Sequence, residues 1–135
     1  MADAFKFELV SPERLLVSED VLEVVVPGQE GYFTVLSNHA PLMAGLQPGV
    51  VEVKNASGEQ ERYCVFGGFV DIMPDSCTLL AESAVNVKDI DPEDVARRVQ
   101  DAREDLEDAK SDEAIQKAKL YLDQLTTLQQ AILPA

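Results

Sequence analysis

The hydrophobic positions alternate first with a period of two and later with a period between three and four. Residues 5 to 10, FKFELV, place Phe5, Phe7 and Leu9 on one face and Lys6 and Glu8 on the other, the mark of a half-buried strand that Ser11-Pro12 ends. Strands are predicted over 14–19 and 21–26, joined at Glu19-Asp20, with Leu22, Val24 and Val26 on one face of the second. Tyr32 to Leu36 follows, then 50–54 and 61–66 joined through Asn-Ala-Ser-Gly at 55–58, a hairpin closed by a glycine turn. Gly67-Gly68 predicts a bulge or close backbone approach. Beyond it, 69–73 and 77–81 flank the turn Pro74-Asp75-Ser76. Short strands with turn signals at this spacing indicate an antiparallel sandwich or barrel.

After residue 86 the period changes. Asp91-Pro92-Glu93-Asp94 has the form of a helix start, with a carboxylate cap, proline at the first helical position and acids in the first turn. Val95, Val99, Ala102, Leu106 and Ala109 then recur at steps of four and three. Lys110-Ser111-Asp112 breaks the pattern, and Ser111 or Asp112 caps a second helix carrying Ile115, Ala118, Leu122, Leu125, Leu128 and Ile132 and ending at Pro134. Two such helices with a three-residue connection form an antiparallel hairpin whose inner seam, marginal alone, must lean on a partner or on the sandwich. The expected class is therefore α+β: a sandwich over 1–86 and a helical hairpin over 87–135.

Composition narrows the function classes. The chain has 135 residues, a net charge of −14 and 46% hydrophobic residues. Nucleic acid and anionic lipid are poor partners for such a charge, whereas basic protein surfaces suit it. No apolar run approaches the ~18 residues of a membrane span. The N-terminus MADAFKFELV has neither a basic n-region nor an apolar h-region, which predicts no secretory signal. Cys64 and Cys77, without C-x-x-C spacing, read as reduced thiols packed among strand hydrophobes.

Candidate chemistry concentrates in Pro27–Gly49, PGQEGYFTVLSNHAPLMAGLQPG, which holds the chain's one histidine, His39. Pro27-Gly28 and Pro48-Gly49 are turn dipeptides. No nucleophile, carboxylate pair or metal-ligand spacing joins His39, there is no G-x-S-x-G, and no phosphate-cradling glycine loop precedes a helix. His39 reads as part of a turn-shaped contact surface, and the chain reads as a non-enzyme without metal or cofactor. The acids Asp101, Glu104, Asp105, Glu107 and Asp108 make a solvated helix face.

Two blocks then resemble a known family. One has PG-x-x-G at 27–31, Val35-Leu36, His39-Ala40-Pro41-Leu42 and Leu46-x-Pro48-Gly49-x-Val51; the other runs from Gly67-Gly68-Phe69-Val70-Asp71-Ile72-Met73-Pro74-Asp75 to Thr78-Leu79-Leu80-Ala81-Glu82. In both blocks and in domain order, the chain is similar to the epsilon subunit of F-type ATP synthases, the equivalent of mitochondrial delta. The resemblance implies a sandwich of about ten strands followed by the helical hairpin. It implies a non-catalytic place on the rotor, bound to the gamma subunit and the c-ring, on the cytoplasmic face of a bacterial plasma membrane or its organellar equivalent. The loop with Gly28, Glu30, Gly31, Tyr32 and His39 would face the c-ring. The family usually has an acid just after the second glycine of that loop. Tyr32 stands there in this chain, and Glu30 is the nearby acid.

The hairpin of bacterial relatives reaches towards the alpha and beta subunits and inhibits ATP hydrolysis, and in some it binds ATP through I/L-D-x-x-R-A. Here only Asp94 and Arg97 match that pattern, implying a weak nucleotide contact at most. The alternative to a rotor subunit is a stand-alone ligand- or nucleotide-sensing module.

Overall fold

The computed structural model describes residues 3–132. Nine strands occur among them: β1 Phe5–Val10, β2 Leu15–Gly28, β3 Gly31–Val35, β4 Leu42–Leu46, β5 Gly49–Asn55, β6 Gln60–Val65, β7 Gly68–Met73, β8 Ser76–Ala81 and β9 Ala84–Asn86. After a 3-10 turn over Val87–Asp89 come α1, Pro92–Asp108, and α2, Asp112–Ile132. The expected helix end at Pro134 lies outside the described residues.

The hydrogen-bonded path runs β1-β8-β7-β4-β2-β5-β6-β9, with β3 added to β2 and with β1 paired back to β2. All pairings are antiparallel except β1 with β8. The path folds into a sandwich because alternate side chains of each strand turn to one interior. That interior holds Phe5, Phe7, Leu9, Val21, Val24, Val26, Val35, Leu46, Val51, Val53, Val65, Val70, Ile72, Cys77, Leu79 and Ala81.

Two expectations are corrected. Residues 14–26 are not two strands: β2 runs unbroken through Glu19-Asp20, pairing first with β1 and then with β5 and β3. Leu22 does not share the face of Val24 and Val26. A register shift between Val21 and Glu23 inserts one extra residue opposite β5, so Val21 and Val24 both turn inward and Leu22 is only half-buried. Two strands, β4 and β9, were not expected. Ala44-Gly45 gives β4 little strand propensity, and β9 is three residues long.

The glycine signals hold. Gly67 and Gly68 have φ of +133° and +129°, and a Cβ on Gly68 would strike the Leu80 carbonyl of the neighbouring strand. In the β5–β6 turn, Gly58 has φ +89° and the Asn55 carboxamide accepts the Ser57 and Glu59 N–H groups.

The helix signals hold as well. Asp91 caps α1 by accepting the Glu93 N–H at 2.9 Å, with Pro92 following it. For α2 the cap is Ser111, whose Oγ accepts the Ala114 N–H at 3.0 Å. The hairpin leans on the sandwich. Val95, Val99, Ala102, Leu125 and Leu128 bury themselves against Val50, Cys64 and Phe66, making a second core on the outer side of β5 and β6. Cys64 thus lies under the hairpin and Cys77 inside the sandwich, and burial pushes their thiols up to about 11 and about 12.

Candidate functional site

Gly28 and Gly31 are cross-strand partners, and the turn they close is Gln29-Glu30. Gly31 has φ +137°, and a Cβ on Gly28 would lie 2.9 Å from both the Gly31 carbonyl and the Phe33 ring, so the tip can be this tight only with glycine. The tip is tied to β4: Gln29 N–H donates to the Gly45 carbonyl at 3.0 Å, and Gln47 donates through its side chain to the Gly28 carbonyl at 2.7 Å. Between tip and strand lies a cleft of about 370 Å³ whose walls include Glu30, Phe33, Leu42 and Met43. Glu30 is exposed at its rim.

The other two loop residues point elsewhere. Tyr32 is on the hairpin side, where its hydroxyl accepts the Val50 N–H at 3.1 Å and covers Gly49. With Pro48 it lines a small cleft against Asp123, Thr127 and Ala131 of α2. His39 sits in the turn before β4. There Asn38 has φ +64° and its N–H donates to the Pro74 carbonyl at 2.8 Å. His39 Nδ1 is 2.7 Å from the Ala40 carbonyl, which can only accept, so Nδ1 carries the proton. The structure brings Gly28, Glu30 and Gly31 together but does not bring Tyr32 or His39 to them.

On the hairpin, Asp94 faces two arginines: Arg97 Nη1 lies 3.4 Å from Oδ1 and Arg98 Nε 3.2 Å from Oδ2. The Asp94–Arg97 pair is thus internally satisfied, with Arg97 exposed and Asp94 half-buried. Arg98, outside the expected nucleotide pair, reaches the sandwich.

A further surface went unread in the sequence. On the outer side of β1, β8, β7 and β4 the register aligns Val10, Leu80, Phe69 and Gly45 across four strands. Leu80 is 49% exposed, Phe69 59% and, one pleat along β4, Met43 69%. The alternation of Phe69, Asp71 and Met73 against buried Val70 and Ile72 contains the signal, but only the strand order shows that the apolar members adjoin. Exposed apolar side chains that adjoin in one patch mark an interaction surface.

Comparison with known proteins places the chain among relatives. The family model described as ATP synthase, Delta/Epsilon chain, beta-sandwich domain matches residues 4–87. The chain belongs to this family. An ATP synthase epsilon chain from Mesorhizobium japonicum is 67% identical over the full length of both chains, and those of Brucella canis and Brucella anthropi are 61% and 59% identical over the same span. Among solved structures, a chain of the Euglena gracilis mitochondrial ATP synthase superposes with TM-score 0.75 at 23% identity, covering 96% of this chain and 82% of its own. A chain of the Tetrahymena thermophila mitochondrial enzyme superposes with TM-score 0.70 at 16% identity, covering 98% of each. At those identities the superpositions speak for the fold, sandwich and hairpin together.

Proposed function

We propose that the chain is a non-catalytic central-stalk subunit of a proton-translocating F-type ATP synthase, coupling rotation of the gamma subunit and the c-ring to ATP synthesis. The observation that carries this reading is the exposed apolar patch of Leu80, its cross-strand partner Phe69, and Met43 one pleat along β4. It supports a permanent protein partner, and full-length identity to chains named for the ATP synthase supports the choice of gamma. The glycine tip with Glu30 is the part assigned to the polar loops of the c-ring, and Tyr32 and His39 flank it rather than form it. Residues 1–86 act as the foot and 87–135 as an arm that regulates ATP hydrolysis through the alpha and beta subunits. None of the described helices is both long and apolar enough to cross a membrane; in this reading membrane association, at the cytoplasmic face in a bacterium, comes through the complex.

The test is co-purification. The tagged wild-type chain should recover gamma and the catalytic-head subunits from detergent-solubilised membranes, and Phe69→Asp should recover them at least ten-fold less well, since burying an unpaired carboxylate in an interface is costly. Equal recovery would remove the apolar patch from the reading; no recovery by the wild type would remove the reading itself. The alternative, a stand-alone nucleotide sensor working through Asp94 and Arg97, requires binding of ATP to the isolated chain, which isothermal titration measures directly.

A further inference from the structure

Among the described residues, Arg98 joins the hairpin to the sandwich by polar contacts. Arg98, on α1, stacks its guanidinium over the Phe66 ring at 3.9 Å from the centroid. Its Nη2 donates to Ser83 Oγ at 3.2 Å, and its Nε donates to Asp94 Oδ2 at the same distance. Three partners thus fix the planar group on three sides, a use that suits arginine and not lysine.

The platform beneath it is rigid. Phe66 N–H donates to the Ser83 carbonyl at 3.2 Å, Glu82 N–H donates to the Gly67 carbonyl at 3.0 Å, and the Gly67-Gly68 kink holds the crossing. The second helix joins the same node. Tyr121 of α2 lies within the field of Arg98, Glu82 and Asp105, and burial pushes its phenol up. Asp94 is the carboxylate bonded to the guanidinium, and Arg97 bonds to the same carboxylate.

We propose that Arg98, stacked on Phe66 and bonded to Ser83 and Asp94, is the clasp that holds the helical hairpin down on the sandwich. The second core beneath it meets the sandwich at Val50, Cys64 and Phe66, and the clasp adds to that apolar docking a set of polar contacts at its edge. The Asp94 carboxylate orients Arg98, and Arg97 shares that carboxylate without reaching the sandwich. The clasp needs no nucleotide, and it stands whether or not the arm regulates hydrolysis.

Cys64 supplies the test, because its thiol is covered by the hairpin. The isolated full-length chain is treated with a small thiol reagent, and Cys64 and Cys77 are followed separately by peptide mass. Arg98→Ala should raise the Cys64 rate about ten-fold, the combined effect of one cation–π stack and two charge-assisted bonds at a half-exposed site. Arg98→Lys should recover only part of the protection, and Asp94→Asn, which keeps the stack, should raise the rate less than Arg98→Ala. Leu79→Ala weakens the core between the sheets and should leave the Cys64 rate unchanged while speeding Cys77. Wild-type Cys64 rates in both Arg98→Ala and Asp94→Asn would overturn the clasp. So would a Leu79→Ala variant that speeds both thiols equally, because Cys64 would then be opening only through global unfolding.

Discussion

Leu79 and Leu125 are both fully buried leucines, one between the sheets and one between hairpin and sandwich. Replacing either by alanine removes the same atoms and costs about 3 kcal/mol, within the usual range for such sites. The two losses should nevertheless be felt differently. Leu79→Ala subtracts from the sandwich, so the urea midpoint should fall by between about 1 and 3 M at the m-values of small proteins. Leu125→Ala subtracts from docking, and 3 kcal/mol there raises the lifted population about 160-fold.

Linkage sets what each thiol reports. Cys64 reacts once the hairpin lifts, whereas Cys77 waits for the sandwich to open, which breaks docking as well. Leu125→Ala should therefore speed Cys64 about 160-fold, and its effect on Cys77 is capped at the docking free energy it can remove. Leu79→Ala should speed Cys77 by a similar factor and leave Cys64 at its wild-type rate. Thiol labelling in native buffer, alongside urea melts followed by circular dichroism, measures all four rates. The reasoning is refuted if the two thiols react at one common rate in wild type and shift together in both variants, for hairpin and sandwich would then be a single cooperative unit.

Three shorter predictions follow from other parts of the fold. Gly68→Ala should destabilise the chain by about 2–5 kcal/mol, because strained φ and a clash with β8 backbone add and neither is relieved by a rotamer; a urea midpoint within error of wild type would contradict it. Glu19 has a buried Oε1 without a hydrogen-bond partner, and burial, then Glu61 and Glu59, raise its carboxyl above 4.5. Its folded form prefers the proton, so the stability it contributes is full below the unfolded value and lost as pH rises through the folded one. Glu19→Gln should accordingly raise Tm more at pH 7.5 than at pH 4, and more than the exposed control Glu13→Gln; equal shifts would refute the burial argument. Truncation after Asp91 should leave a folded sandwich with Val50, Cys64 and Phe66 bare, giving at least a several-fold rise in binding of an apolar dye; an unfolded product would show that the hairpin is needed to fold.

The legible part of the fold was that decided by local rules. Period two in Phe5, Phe7 and Leu9, the Asp91-Pro92 cap and the Gly67-Gly68 kink each act within a few residues, and each is where the pattern put it. Leu22 misled because one bulge inverts every later inward position, and a bulge is set by the partner strand rather than by its own residues. The unbroken β2 went unread for a related reason. Glu19-Asp20 reads as a turn, but pairing with β1 on both sides holds it extended.

The site was legible to the same extent and no further. Gly28 and Gly31 make the tip that the turn chemistry requires, yet strand alternation alone sends Tyr32 to the face opposite Phe33, towards α2 and away from Glu30. A contiguous stretch of sequence is therefore not a contiguous surface. Phe69 and Leu80, eleven positions apart in the chain, are direct partners in the apolar patch, and Arg98 meets Ser83 across a helix start and a strand. Both sites depend on Gly68, whose missing Cβ lets β7 cross beside Leu80 and Ala81. The same close approach places Phe69 in the outer patch and Phe66, three residues earlier, beneath the hairpin. One glycine thus lies in the chain between Phe66, which packs under the hairpin, and Phe69, which is exposed on the outer face of β7.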